Sequence, residues 1–221
     1  MTSTRTVRYL ALGVAVAAQF AAYRKWHLHW GATPQEARAH LPGDEMILDP
    51  SFAPTRAITI EATPEEIWPW IVQIGYGRAG FYSYDLLDNL GRHSAERILN
   101  EWQSIEIGDI AAPMSPFDDP PSEATAFVVA GYEMNRWLLW AQPVSTWVWC
   151  LEPVDQQRTR VITRVRCRYN WPHPQAALSL VLMELADFPM MRKQLLGLKR
   201  RVEQYAPAEV GEHGTPPAKA I

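Results

Sequence analysis

The alternation of apolar and polar positions predicts six β-strands, one before and five after a helical region. The predicted strands are Arg56–Glu61, Ser104–Ala111, Ala124–Tyr132, Arg136–Gln142, Ser145–Glu152 and Thr159–Asn170. The last five are joined by short segments rich in turn residues, notably Pro113–Pro121. Short connections favour antiparallel neighbours, because a parallel crossover needs about a dozen residues or more. The pattern therefore predicts an antiparallel sheet.

Two helices are predicted between the first strand and the other five. Thr63 has the character of an N-cap, Pro64 suits the first helical position, and Glu66 completes a capping box. Phe81–Leu90 follows a glycine-rich loop at Gly75–Gly80 and has the apolar spacing of a short helix.

The last structured segment is predicted to be a long helix over Pro174–Tyr205. A break is expected near Ala186, because Pro189 cannot continue a helix whereas Asp187 can cap a new one. The element order predicts an α+β fold in which this helix lies across the concave face of a curved sheet. A pocket lined by aromatic side chains is expected between them.

The N-terminal run Tyr9–Tyr23 has 15 residues without a charge and is flanked by basic residues on both sides. A helix of this length spans about 22 Å, which is short of a bilayer core of about 30 Å. Three interpretations stay open: a membrane anchor helped by its aromatic and basic flanks, a signal peptide cleaved at Ala15–Ala17, or an Ala-rich helix on the domain or in solvent. The protein is accordingly expected to be membrane-associated through one helix, or cytoplasmic.

The chain divides into four parts by composition. Residues 1–26 form the hydrophobic helix, 27–54 a connector with a short helix at Pro34–His40, and 55–205 the folded domain. Residues 206–221 are polar and contain Pro and Gly, and we expect them to be disordered.

Composition excludes several classes of protein. Of the 221 residues, 48% are hydrophobic and 20% charged, which excludes a wholly disordered chain, a collagen and a disulfide scaffold. The net charge of −3 argues against a nucleic-acid partner, which usually meets a strongly basic face. Ten tryptophans are many for one domain of this size, so we expect some of them to line a cavity.

The two cysteines are predicted to be free thiols. If the last two strands form a hairpin centred near Gln156, Cys150 and Cys167 point to opposite faces of the sheet. A shift of one residue leaves them about 13 Å apart along the strands, which is beyond the reach of a disulfide. Free thiols fit a reducing compartment.

No motif in the sequence indicates a metal or a cofactor. The six histidines are scattered, and neither HExxH nor a CxxC pair occurs. The glycines of Gly75–Gly80 have the GxGxxG spacing but follow a helix, whereas a dinucleotide site requires a preceding strand. We therefore expect neither a metal nor a cofactor.

Several stretches resemble the START-like (SRPBCC) superfamily, which includes polyketide cyclase/dehydrase-like proteins and lipid-transfer domains. Thr55–Ile60 running into Pro64–Trp70 resembles the opening of its domains. One bacterial branch is similar at Gly80–Asp85 with Asp88-Asn89-Leu90, Glu101-Trp102-Gln103, Gly108-Asp109, Asp187-Phe188 and Leu196–Lys199. The resemblance covers residues 30–205.

The resemblance implies a helix-grip fold, which agrees with the order of elements read from periodicity. Carriers, cyclases and stress proteins share this scaffold, so the fold leaves the chemistry open. The expected function is binding of a hydrophobic small molecule or lipid. The alternative is a polyketide cyclase/dehydratase-like enzyme acting on an aromatic or polyketide-type substrate.

Candidate ligand-binding residues come from the aromatic excess and from charges near the expected pocket. They are Tyr82, Tyr84, Trp102, Trp140, Trp147, Trp149, Arg164, Phe188 and Arg192. Tyr82, Tyr84 and Asp85 are weak acid–base candidates, for which structural hydrogen bonding is the competing explanation. Arg164 belongs to a row of arginines on one strand face, which either binds phosphate or lipid headgroups or is simply solvated.

Overall fold

A six-stranded antiparallel sheet forms the centre of the computed structural model, which describes residues 4–113, 126–169 and 183–205. Its strand order is β1-β6-β5-β4-β3-β2. The strands are β1 Thr55–Ile60, β2 Ile110–Pro113, β3 Ala126–Glu133, β4 Trp137–Gln142, β5 Ser145–Pro153 and β6 Thr159–Cys167. Irregular register between β2 and β3 and between β3 and β4 adds curvature to the sheet.

Five α-helices surround the sheet in the described residues. They are α1 Thr4–Leu28, α2 Pro34–Arg38, α3 Pro64–Val72, α4 Asp85–Asp88 and α5 Phe188–Gln204. Short 3₁₀ turns lie at Asp44–Met46 and Asn100–Trp102, and a π-helical turn at Met183–Asp187 precedes α5. This order confirms the α+β helix-grip fold that the sequence predicted.

The capping box predicted for α3 is present. The Thr63 amide donates to Glu66 Oε2 at 2.8 Å, and the Glu66 amide donates to Thr63 Oγ1 at 3.4 Å. Thr33 and Glu36 form the same arrangement at the start of α2. Both helices therefore begin where local hydrogen bonding satisfies their first amides.

The inner face of the sheet packs against α3 and α5. Ile60 from β1, Trp149 from β5 and Leu195 from α5 are fully buried in one hydrophobic cluster. Residues of β3, β4 and β6 join the same cluster, so the main core lies between the sheet and these two helices.

The outer face of the sheet is covered by the segment between α1 and β1, called here the connector segment (residues 29–54). Leu41 packs there with Leu139 and Ile162 in a second hydrophobic cluster. The arginines of β6 bind the same segment. The alternative expectation that this row is solvated is wrong for Arg160, Arg164 and Arg166, whose side chains are 18%, 4% and 17% exposed, and holds for Arg168, at 52%.

Two predicted elements are shorter than expected. The helix predicted over Phe81–Leu90 is restricted to Asp85–Asp88, because Tyr82 and Leu90 have left-handed φ values of 59° and 50°. The strand predicted over Ser104–Ala111 begins only at Ile110. A turn comes before it, in which the amide of Glu106 donates to the Asp109 carboxylate at 2.7 Å.

The C-terminal prediction is tested only in part. The irregular turn at Met183–Asp187 lies where a break was expected, and Pro189 lies in the first turn of α5. The earlier part of the predicted helix at residues 174–182 and the predicted tail at 206–221 lie outside the described residues.

Helix α1 is exposed over most of its length. Its described side chains from 8 to 23 are exposed, whereas His27 and Leu28 are buried against the domain. Among the residues that the structure describes, no helix combines the length and the apolar character needed to cross a membrane. The spanning-anchor interpretation is therefore not supported, and the signal-peptide interpretation stays a prediction.

Candidate functional site

Three of the predicted ligand-binding tryptophans meet on the inner face of the sheet, in the core that α5 also joins. Trp140 lies opposite Trp147 in register, and Trp149 follows Trp147 by two residues on the same strand face. Their ring centroids are 5.2 Å apart for Trp140–Trp147, 5.4 Å for Trp147–Trp149 and 6.3 Å for Trp140–Trp149. We call these three residues the indole cluster. Trp137 lies on the outer face, as strand alternation predicts.

The environment of the indole cluster is apolar. Phe127 packs edge-on against Trp147 with ring centroids 5.9 Å apart. Leu195 and Leu198 of α5 belong to the main hydrophobic core that contains the three indoles. The three indoles and the aliphatic side chains of α5 are buried in one core, and neither of the two pockets described below opens into it.

Tyr82 also joins the inner core, but its hydroxyl is fully engaged within the protein. The hydroxyl donates to the Trp70 carbonyl at 3.0 Å and accepts from Gln73 Nε2 at 2.8 Å. Burial raises the pKa of Tyr82 well above its ordinary value, despite the hydrogen bond from Gln73 and the nearby Arg201. The Arg201 guanidinium lies over the ring at 4.6 Å. This is an arrangement that holds a buried tyrosine in its neutral form.

Asp85 and Tyr84 lie in the loop that follows. Ser94 Oγ donates to Asp85 Oδ1 at 2.5 Å and accepts from the Tyr82 amide at 3.1 Å. Burial tends to raise the pKa of Asp85, but hydrogen bonds from Ser94 and His93 outweigh it and leave the pKa below its ordinary value. Tyr84 is exposed, and its ring lies 5.7 Å from Lys193 Nζ.

The other four predicted residues lie apart from the indole cluster. The Arg78 guanidinium stacks on Trp102 at 4.7 Å. Phe188 packs on Trp26 at the end of α1, and Arg192 stacks on Trp30 at 5.3 Å.

Arg164 lies on the outer face of the sheet. Its guanidinium donates to Asp44 Oδ2 at 2.5 Å and to Thr55 Oγ1 at 2.8 Å, and further to three carbonyls of α2 and its C-cap. The structure therefore brings together Tyr82, Trp140, Trp147 and Trp149 in one core and places the remaining candidates elsewhere.

A buried ionic group at the start of α5 was missed by the sequence analysis. Arg56 Nη1 donates to Asp187 Oδ2 at 2.6 Å, and Arg24 and His27 both bind the Glu184 carboxylate. Burial raises the pKa of Asp187, against the opposing effect of Arg56. Asp187 makes no capping hydrogen bond with its side chain, so the predicted N-cap is wrong in its detail.

One sequence signal could have revealed this group. Arg56 alternates with Ile58 and Ile60, so it occupies an inward position of β1. A charged side chain at an inward position requires a buried partner.

Two open pockets lie on the outer face of the sheet. One, of about 380 Å³, lies beside Arg164 and Arg166 under the connector segment. The other, of about 480 Å³, lies between Ile47 and the outer faces of β3, β4 and β5. Neither pocket includes a residue of the indole cluster.

Metal-ligating side chains do not cluster in the described part of the chain. No group of three or more His, Cys, Asp or Glu residues there could hold a metal ion. Cys150 and Cys167 are free, as predicted, and their strand partners Ile162 and Ser145 place them on opposite faces.

Comparisons with known proteins give only distant likenesses, all of them to solved structures. No protein-family model matches the chain, and no curated protein matches it. A Polyketide_cyc-like protein from Corynebacterium glutamicum is 15% identical, with a TM-score of 0.40 over 68% of this chain and 91% of that one. A conserved protein of unknown function from Enterococcus faecalis is 14% identical, with a TM-score of 0.40 over 72% and 76%.

A third neighbour is the di-domain ARO/CYC protein BexL from the BE-7585A biosynthetic pathway. It is 14% identical, with a TM-score of 0.33 over 70% of this chain and 51% of that one. The assignment of the helix-grip fold rests on the strand order and on the helix that covers the sheet.

Proposed function

We propose that the domain binds a hydrophobic small molecule or a lipid between α5 and the inner face of the sheet. The observation that carries the proposal is the indole cluster, which collects large apolar rings from two adjacent strands in the core that α5 also joins. Indoles combine a wide apolar surface with one polar group, which suits an aromatic or acyl guest.

A second observation supports the same site. The loop around α4 presents large apolar side chains to solvent, and it borders α5. The exposed side chains are Tyr84, Leu86, Leu87 and Leu90. Ser83 Oγ donates to the Met190 carbonyl of α5 at 2.9 Å, which links this apolar loop to α5. An exposed apolar patch beside an apolar core is typical of an entrance for a hydrophobic ligand.

Entry of a guest requires side chains beneath α5 to give way, since the interior is packed. The apolar loop is the segment suited to move, because Leu86, Leu87 and Leu90 are each more than half exposed and so bury little apolar surface. Its displacement would open the core near Tyr82 without separating the strands of the sheet.

Mass spectrometry of organic extracts tests whether the purified full chain carries an apolar compound. Uptake of Nile red, a neutral dye, followed by its fluorescence, gives an independent measure of binding. Leu86→Ser and Leu87→Ser should slow uptake of the dye. Leu48→Ser, which changes an exposed leucine of the connector segment, should not. Repeated extracts without any apolar compound, together with no saturable dye binding, would overturn the proposal.

Binding is proposed ahead of catalysis because the acid–base candidates are poorly placed to act on a bound substrate. The Tyr82 hydroxyl already donates to a carbonyl and accepts from Gln73, and Tyr84 faces solvent. A general acid needs a proton that can reach the substrate. These positions give the cyclase/dehydratase alternative no specific support.

We propose, second, that α1 lies on the surface of an anionic lipid bilayer. Its exposed side chains include Leu12, Val16 and Phe20, with Tyr9 and Tyr23 at the two ends of the apolar run. No acidic residue precedes Glu36 in the chain, whereas arginines and a lysine flank the run. This combination complements a negatively charged headgroup layer.

Co-sedimentation with vesicles tests this second proposal. The full chain should bind vesicles of phosphatidylcholine with 30% phosphatidylglycerol by weight more strongly than pure phosphatidylcholine, and Leu12→Ser with Phe20→Ser should abolish the difference. Leu48→Ser is the matched control. Binding to neither vesicle would overturn the proposal. A concentration-dependent dimer that these two substitutions dissociate would also overturn it and would assign the helix to a second copy of the chain.

A further inference from the structure

Two indole nitrogens of the indole cluster lack a hydrogen-bond acceptor. The side chains of Trp140 and Trp149 are 1% and 0% exposed. Neither Nε1 atom has an acceptor within the described part of the chain. A buried N–H group that is removed from water without a partner is destabilising, and native proteins rarely keep one without a reason.

Trp147 provides the contrast within the same cluster. Its Nε1 donates to Thr163 Oγ1 at 2.9 Å, and that hydroxyl donates in turn to the Val148 carbonyl at 2.9 Å. The sheet therefore satisfies the indole in the middle of the cluster by itself. It leaves the two others as donors without an internal partner.

The two free donors belong to neighbouring rings. The centroids of Trp140 and Trp149 are 6.3 Å apart, and their planes are inclined by 68°. A guest of two fused rings is large enough to contact both indoles. The free N–H groups thus mark a place where a ligand oxygen would find a donor that nothing else uses.

The charge of the surroundings limits the chemistry of that oxygen. Apolar side chains make up the cluster around the two indoles. Arg56, in register with Thr163, is already paired with Asp187 at 2.6 Å, and Arg201 over Tyr82 is paired with Glu96 at 2.8 Å. A carboxylate would lose its hydration without gaining a free cation, whereas a neutral carbonyl or hydroxyl oxygen loses much less.

We infer that the guest of the proposed site carries a neutral oxygen atom, which accepts a hydrogen bond from the Nε1–H group of Trp140 or Trp149. The inference rests on the proposed function and adds the polar half of the ligand to it. It distinguishes ketones, esters and related oxygenated compounds from pure hydrocarbons.

A matched pair of probes tests the inference on the full chain. 1-Acetonaphthone and 1-ethylnaphthalene share the same rings and nearly the same shape, but only the ketone has an acceptor. The wild type should bind the ketone about tenfold more tightly, the factor expected of one neutral hydrogen bond to an otherwise unpaired donor. Quenching of tryptophan fluorescence measures both affinities.

Substitutions assign the preference to particular nitrogens. Trp140→Phe or Trp149→Phe should reduce the ketone preference to about onefold, because phenylalanine keeps an aromatic ring and removes the donor. Trp147→Phe is the matched control and should retain the preference, since its donor is already engaged by Thr163.

A measurement on the unaltered protein keeps the test independent of folding defects. With ¹⁵N-labelled tryptophan, the ketone should shift one or two indole N–H resonances downfield, and ethylnaphthalene should leave them nearly unchanged. Equal affinities for both probes, or a preference that survives in both Phe variants, would overturn the inference and leave the proposed function standing. Failure of both probes to bind the wild type would overturn the proposed function itself.

Discussion

Gly197 of α5 packs directly against the backbone carbonyl of Tyr82. A Cβ atom at position 197 would lie 2.1 Å from that oxygen, far inside van der Waals contact. Tyr82 itself has a left-handed backbone, with φ of 59°, and its side chain is buried. The contact joins α5 to the loop after α3, and it sets how closely the helix approaches the core.

The first prediction concerns this contact. Gly197→Ala should lower the free energy of unfolding by about 1–3 kcal/mol, the usual cost of forcing extra atoms into a packed site. Gly13→Ala is the matched control, because the same substitution in α1 meets no atom within 4 Å. There it should raise helix stability by about 0.5–1 kcal/mol. Urea unfolding measures both, and equal effects at the two positions would contradict the prediction.

The second prediction concerns the arginine row, which begins in β6 and ends at Arg168 just beyond it. Arg164→Met should destabilise the protein by about 3–5 kcal/mol, because Asp44 would be left as a poorly compensated buried charge. Arg168→Met should change stability by less than about 1 kcal/mol, since its pair with Asp49 is solvent-exposed at 3.9 Å. Thermal and chemical unfolding measure the difference. A similar small loss for both variants would show that the connector segment does not depend on Arg164.

The third prediction concerns the pH dependence of stability. Burial lowers the pKa of His27, an effect that the Glu184 carboxylate only partly offsets. A histidine whose pKa is depressed in the folded state binds protons more readily when unfolded. Its contribution is therefore complete above pH of about 6.5 and is lost as the pH falls through the folded-state pKa.

His27→Gln should accordingly flatten the decline in unfolding free energy between pH 7 and pH 5. The reduction in slope is at most about 1.4 kcal/mol per pH unit for one proton. Chemical unfolding at a series of pH values measures it. His40→Gln, at an exposed position, is the control for the substitution itself. An unchanged slope in His27→Gln would mean that His27 does not titrate differently in the two states.

The fourth prediction concerns the thiols. Burial raises the pKa of Cys150 to about 12 and also raises the pKa of Cys167. Because the thiolate is the reactive form, Ellman's reagent at pH 8 should modify Cys150 in the folded protein more than about tenfold more slowly than in denaturant. Two thiols per chain should react after unfolding without reductant. Fewer than two would reveal a disulfide and contradict the assignment of both as free.

The hairpin of β5 and β6 shows how far the sequence reaches. The predicted centre at Gln156 matches the observed pairing of Glu152 with Arg160. Turn residues and strand alternation lie within about ten residues of each other there, so the sequence alone sets this register. The capping box at Thr63 was predictable for the same reason.

The loop around α4 shows where such reasoning stops. The apolar spacing of Phe81–Leu90 is helical, yet Tyr82 adopts a left-handed backbone so that its hydroxyl can reach Trp70 and Gln73. Trp70 lies in α3 and Gln73 is its C-cap residue, and the contact with Gly197 comes from α5. A contact between segments more than a hundred residues apart overrides a local preference of a few tenths of a kcal/mol per residue.

The sequence by itself determined the positions of most strands, the register of the β5–β6 hairpin, the start of α3 and the free state of the cysteines, because each follows from periodicity or neighbouring residues. Only the tertiary structure decided that the arginine row binds the connector segment and that Arg56 pairs with Asp187. It also decided which indole nitrogens keep no partner. The physical reason is that hydrogen bonds and ion pairs form between atoms brought within about 3 Å, and the fold sets those distances across residues that are remote in the chain.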